Sequence, residues 1–238
     1  MRKDLILRHL IRSFFADYLS LLEPDIFGGK PCQGIRFSRK PLDGTGVAAK
    51  VEGRKGEVVT VLVRIEPEVL PERELSARVR QSLRHLRVLH GEPVLASVVY
   101  LQGGRSGLRL ESIVPAKAFG IEVGRFYVTT FGLTESWAES YLKRPEPLAW
   151  ALAAAMRSTQ RTEEELRRAC LDRIAAEALE EGRRALLRRG VRAFLPKRPT
   201  NRAEAVSVRE GGEEIEDGAT RETIFMPEKS HANAKVPL

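Results

Sequence analysis

A run of eight residues, 58–65, constrains the fold of this chain more than any other feature. Its sequence, VVTVLVRI, is rich in β-branched side chains and mostly apolar. Such a run predicts a strand buried on both faces, as in parallel and mixed sheets. A strand of this kind needs covering layers on both sides, so the run indicates an α/β fold.

The segments around this run predict a strand–helix–strand unit. Residues 72–90 carry an apolar stripe at helical spacing, formed by Leu75, Val79, Leu83, Leu86 and Leu89, and residues 93–101 form a third apolar run. A crossover helix between two strands makes those strands parallel. Residues 47–51 predict a short preceding strand, and Gly103 and Gly104 predict a hairpin turn. The unit favours a mixed central sheet flanked by helices.

Helices are predicted at both ends of this core. The spacing of apolar residues predicts one amphipathic helix over residues 4–22. Weaker β patterns lie near residues 108–114 and 126–131. The Ala-, Leu-, Arg- and Glu-rich segments 148–157, 163–181 and 183–194 predict a helical region. We therefore expect three parts: a core over 1–145, a helical subdomain over 146–196, and a disordered tail over 197–238.

The charge of the chain is concentrated in its first 196 residues. The whole sequence has a formal charge of +8. The tail holds seven Lys or Arg and eight Asp or Glu, so the preceding part carries +9. A basic surface favours an anionic partner, and we expect DNA. A homo-oligomer is left open by the sequence.

Two cysteines and the charged N-terminal run bear on the cellular location. Cys32 and Cys170 are too few for a disulfide framework or a structural zinc site, so they favour a reducing cytoplasm. Charges interrupt the apolar residues at the N-terminus, and no stretch reaches about 18 uninterrupted apolar residues. We therefore expect neither a signal peptide nor a membrane protein.

Two acids follow the apolar strand. Glu66 and Glu68 are two residues apart, and alternate residues of a strand point to the same side. Such a pair at the carboxyl end of a strand can hold Mg²⁺, which prefers oxygen ligands. The alternative is a solvated acidic turn leading into the next helix, and the spacing alone favours that alternative.

The helix after these acids is rich in arginine. It contains Arg73, Arg78, Arg80, Arg84 and Arg87, and four of them (73, 80, 84 and 87) share one face. Arginine matches phosphate geometry, so these five arginines predict a nucleic-acid contact surface. The alternative is an ordinary solvent-exposed face. The two interpretations are equally supported.

The order of these motifs resembles the Rpn family of recombination-promoting nucleases and transposases, part of the PD-(D/E)XK nuclease superfamily. The run that carries the resemblance is Glu66-Pro67-Glu68, Leu75, Arg78, Ser82, His90-Gly91-Glu92-Pro93-Val94 and the strand that ends at Leu101. Its spacing fits without gaps. The first helix and the helical region after residue 148 are also similar, so the resemblance covers residues 1–195. It implies a restriction-endonuclease-like core.

The resemblance implies a metal-dependent DNA endonuclease. Glu66 would bind Mg²⁺, Glu68 would assist at the metal or orient water, and Asp43 would substitute as a second ligand. Three positions depart from the family pattern: Gly46 stands in place of the metal-binding Asp, Glu68 in place of Gln, and Ser82 in place of Tyr. A second interpretation is therefore a catalytically inactive relative that binds nucleic acid or a protein partner.

Overall fold

The computed structural model describes residues 2–22, 34–38, 46–52, 56, 58–90, 94–118 and 121–195. Within these ranges, the side chains of 87–90, 108–118 and 121–127 lie outside the description. Contacts divide the chain into one unit over Met1–Lys197 and a second over Arg198–Leu238. The predicted tail, residues 197–238, lies outside the described residues.

The protein is an α/β structure with one mixed sheet. Its strands are β1 (Arg36–Phe37), β2 (Gly46–Glu52), β3 (Val58–Glu66), β4 (Val94–Tyr100), β5 (Leu108–Ala118) and β6 (Ile121–Gly132). Among the described residues, the sheet has five long strands and the two-residue β1, in the order β1-β2-β3-β4-β6-β5. Strands β3, β4 and β6 are parallel to one another, and the remaining pairings are antiparallel. The predicted α/β class and mixed sheet are confirmed.

Helices cover both faces of this sheet. They are α1 (Lys3–Ser13), α2 (Phe15–Leu22), α3 (Glu72–His90), α4 (Ala138–Leu142), α5 (Pro147–Ala153), α6 (Glu163–Ala176) and α7 (Glu181–Phe194). Helix α3 packs on one face, where Leu75, Val79 and Leu83 belong to the same buried apolar cluster as Leu62 and Val98. The other face, which includes Val61, Val63 and Val99, shares one apolar cluster with α1, α2 and the helices after β6. Strand β3 is buried on both faces, as its sequence predicts.

The crossover unit matches the sequence expectation closely. Helix α3 spans the predicted residues, and β3 and β4 pair in parallel with Val63 opposite Ser97. The glycines after β4 do form a turn, with φ of 71° at Gly103 and 89° at Gly104. The turn is not a hairpin, because β4 pairs with β3 and β6 and not with β5.

The predicted N-terminal helix is two helices. Helix α1 ends at Ser13, its C-cap Phe14 has φ of −122° and ψ of 42°, and α2 begins at Phe15. Phe14 and Phe15 are both buried, although consecutive residues of one straight helix point about 100° apart. The break allows both rings to enter the core, so the prediction of a single helix was wrong.

No helix among the described residues is both long enough and apolar enough to cross a bilayer.

Candidate functional site

The two candidate acids, Glu66 and Glu68, lie on different elements: Glu66 is the last residue of β3 and Glu68 follows the strand. Arg64 and Glu66 are alternate residues of the strand and lie on the face that α3 covers, as Leu62 does. The strand ends at Glu66, and Glu68 lies in the following bend. The Glu66 side chain is 1% exposed, whereas Glu68 is an exposed residue. The expectation that both acids share one strand face fails because the second acid lies beyond the strand.

Two arginines hold the carboxylate of Glu66. Arg64 donates from Nε and Nη2 to Oε1 at 3.1 and 3.0 Å. Arg78 donates from Nη1 to Oε2 at 3.0 Å. Both carboxylate oxygens therefore accept charge-assisted hydrogen bonds, which are among the stronger hydrogen bonds in proteins.

The network continues to α3 through both guanidinium groups. Arg64 also donates from Nη1 to Ser82 Oγ at 2.9 Å, and its own side chain is 2% exposed. Arg78 is 40% exposed and donates from Nη2 to Glu74 Oε1 at 2.6 Å. The four ionised groups, Arg64, Glu66, Arg78 and Glu74, sum to zero charge. The buried carboxylate is thus compensated within the chain.

These described residues do not fit a magnesium site. Mg²⁺ is usually bound by one or two carboxylates that are free to coordinate it, and it keeps several of its waters. A cation at Glu66 would meet two guanidinium charges about 3 Å from the same carboxylate, and their repulsion is strong at a buried position. The described part of the chain contains no group of three or more His, Cys, Asp or Glu residues that could hold a metal. Asp43 lies outside the described residues.

Gly46 lies directly across the sheet from Arg64. The two residues are partners in the antiparallel β2–β3 pairing, so their side-chain positions share one face. A Cβ at position 46 would lie 2.9 Å from the backbone oxygen of Val63, closer than real Cβ atoms approach. An aspartate there would require the backbone to shift.

The arginines of α3 divide into two groups. Arg73, Arg80 and Arg84 are exposed, and the Nε of Arg80 donates to the backbone oxygen of Ser76 at 3.2 Å. Arg78 belongs instead to the Glu66 network, so its guanidinium has acidic partners already. The side chain of Arg87 lies outside the described residues. The basic face formed by Arg73, Arg80 and Arg84 therefore remains the candidate contact surface.

Sequence reasoning missed Arg64 as a member of the site. The signal was present, because a charged residue within a β-branched strand and two positions before Glu66 must share the face of that glutamate. Ser82 was identified only as a departure from the family pattern. Its hydroxyl serves the site by accepting from the buried guanidinium of Arg64.

No protein-family model, no curated protein and no solved structure is significantly similar to this chain.

Proposed function

We propose that this chain is a catalytically inactive relative of the Rpn-type nucleases that binds nucleic acid through the basic face of α3. The observation that carries the proposal is the Glu66 carboxylate, whose two oxygens are held by Arg64 and Arg78. Glu66 is the acid that matches the family pattern, and here its charge is balanced by side chains of the same protein. That arrangement stabilises a fold and leaves little attraction for a metal ion.

The basic face supports the binding half of the proposal. Arg73, Arg80 and Arg84 are exposed on α3, and the apolar side of this helix packs against the sheet. Guanidinium groups form bidentate hydrogen bonds with phosphate. The first 196 residues also carry a net charge of +9, which favours a polyanionic partner. DNA or another polyanionic nucleic acid is the partner that this chemistry recognises.

A buried free thiol at Cys170 supports a cytoplasmic location for the same protein.

The binding half is tested by the salt dependence of affinity for a labelled DNA duplex. The variant Arg73→Ala, Arg80→Ala, Arg84→Ala should bind more weakly and flatten the plot of log affinity against log salt. Each lost phosphate contact lowers the slope by about 0.9 on duplex DNA. A matched control, Lys143→Ala, Arg168→Ala, Arg192→Ala, removes three exposed cations from other helical segments and should change little. Equal effects in both variants would place the contact surface elsewhere.

The catalytic half is tested separately by incubation of DNA with Mg²⁺ or Mn²⁺. We expect no cleavage by the wild-type protein above that of Glu66→Gln. Metal-dependent cleavage that Glu66→Gln abolishes, while folding and DNA binding persist, would favour the endonuclease interpretation instead. Binding and cleavage can therefore fail independently.

A further inference from the structure

An open cavity of about 540 Å³ lies at the carboxyl edge of the sheet. Residues that follow three strands line it: Glu68 after β3, Gln102 after β4 and Thr134 after β6. These three strands are parallel to one another, and α/β proteins bind ligands in crevices outside the carboxyl ends of such strands. The volume also falls within the range of about 300–1,000 Å³ that is typical of small-molecule sites.

The helical side of this cavity is apolar. Met156, Leu166 and Phe194 line it from the segments after α5, within α6 and at the end of α7. Each of these side chains is less than 10% exposed, so the wall is part of the core. A surface of this kind favours the apolar body of a ligand over water.

Three cations also line the cavity. They are Lys3 at the start of α1, Arg157 and Arg161. The guanidinium of Arg157 lies 4.2 Å from the ring centroid of Trp137 and 3.4 Å from Glu135, which orient it. The closest approach of Arg161 to Glu139 is 3.9 Å, beyond ordinary hydrogen-bond distance, and Lys3 makes no ion pair with any described residue. Two acids, Glu68 and Glu163, share the lining, and Glu135 already offsets the charge of Arg157. Lys3 and the loosely paired Arg161 are therefore the cations that can face an anionic ligand.

A neutral donor adds to these cations. The Oγ1 of Thr134 accepts from the backbone nitrogen of Gly103 at 3.0 Å. Because that acceptor position is filled by an N–H, the hydroxyl proton is left to donate to a ligand. The amide group of Gln102 lines the same cavity and supplies further donors.

We propose that this cavity binds a small organic anion that has one carboxylate or phosphate head and a short apolar body. Met156, Leu166 and Phe194 contact the body. Lys3, Arg161 and the Thr134 hydroxyl hold the head. The proposal is independent of nucleic-acid binding, since the basic face of α3 contributes no residue to the cavity.

The test is isothermal titration of the full chain with four probes. Octanoate and octyl phosphate carry both features, octanol has the apolar body alone, and inorganic phosphate has the charge alone. We expect heat of binding from the first two and none from the last two at equal concentration. The stronger of the two anionic probes identifies the head group, carboxylate or phosphate. Octanol binding as tightly as both anions, or no binding by any anion, would overturn the proposal.

Three variants locate the binding. Lys3→Ala combined with Arg161→Gln should weaken binding of the preferred anion about tenfold or more, equivalent to about 1.4 kcal/mol. Ala155→Leu places extra volume in the lining and should weaken binding of both anions. Lys143→Ala removes an exposed cation that does not line this cavity and should leave affinity unchanged. Circular dichroism confirms that each variant is folded, and unchanged affinity in the first two folded variants would contradict the assignment.

Discussion

Gly190 of α7 lies in direct contact with Leu10 of α1. A Cβ at position 190 would come within 2.7 Å of Leu10 Cδ1, and Leu10 is fully buried. The absence of a side chain at this glycine allows the two helices to approach each other closely. Residues distant in the sequence are thereby joined in one apolar cluster.

We expect Gly190→Ala to destabilise the fold, because the added methyl group must displace Leu10. Overpacking of a filled core costs about 1–3 kcal/mol. Urea denaturation measures the change. Gly182→Ala in the same helix is the matched control, since no atom lies within 4 Å of the Cβ it would add. That control should be neutral or stabilising by up to about 1 kcal/mol through helix propensity. Equal changes in stability for the two variants would contradict the prediction, because they would show that Leu10 accommodates the added methyl group without cost.

Arg64→Met should destabilise the protein strongly, because it removes two of the three hydrogen bonds that described residues donate to the buried Glu66 carboxylate. Breaking one partner of a buried ion pair typically costs about 3–5 kcal/mol. The double variant Arg64→Met, Glu66→Met should recover much of this loss, since it leaves no unpaired buried carboxylate. Arg84→Met, at an exposed position of α3, is the control. Urea denaturation of the wild type and the three variants measures these changes in stability. Equal losses in Arg64→Met and in the double variant would contradict the network.

The buried hydroxyl groups of Tyr18 and Ser97 form a hydrogen bond of 2.6 Å between α2 and β4. We expect Ser97→Ala to cost about 1–3 kcal/mol, because the phenol is then left without a partner in the core. Tyr18→Phe combined with Ser97→Ala removes both polar groups and should be more stable than Ser97→Ala alone. Thermal unfolding of the single and double variants measures this coupling, and additive losses would argue against the bond.

The raised pKa of Asp17 predicts a pH-dependent contribution of this residue to stability. Burial is the main cause that raises the pKa of Asp17 above 3.8, nearby Glu146 adds to it, and the Leu148 N–H and Arg183 oppose it. A raised folded-state pKa means that the folded state binds the proton more tightly than the unfolded state. The resulting stability is present below pH 3.8 and is lost as the pH rises through the folded-state pKa.

The variant Asp17→Asn should therefore be more stable than the wild type at pH 7. Its side-chain oxygen can still accept from the Leu148 N–H, which lies 3.2 Å from the aspartate in the wild-type protein. The advantage should shrink as the pH falls toward 3.8. Urea denaturation at several pH values measures it, and an advantage that grows on acidification would contradict the sign of the shift.

The central unit of the fold was predictable from local sequence alone. The β-branched run of β3 and the apolar stripe of α3 each determine one element, and the short connections between β3, α3 and β4 leave a parallel crossover as the simple arrangement. The strand–helix–strand boundaries agree with the structure within about one residue. Local periodicity was sufficient because these elements bury their apolar residues in a regular pattern.

The break between α1 and α2 was decided by packing. No proline or glycine marks Phe14, so the sequence continues the helical pattern through it. The burial of both Phe14 and Phe15 is a property of the surrounding core. The pairing of β4 with β6 was likewise decided by the sheet, because the turn after β4 gives no information on which strand will be its neighbour.

The candidate site shows the same division. Sequence periodicity alone determined that Arg64 and Glu66 share a face of β3, and the helix pattern placed Arg78 and Ser82 on α3. Only the tertiary structure decided that this face of β3 meets α3, which brings Arg78 to Glu66 and Ser82 to Arg64. The physical reason is that a buried carboxylate must be hydrogen-bonded by groups that the fold brings within about 3 Å, and the spacing along the chain does not encode that distance.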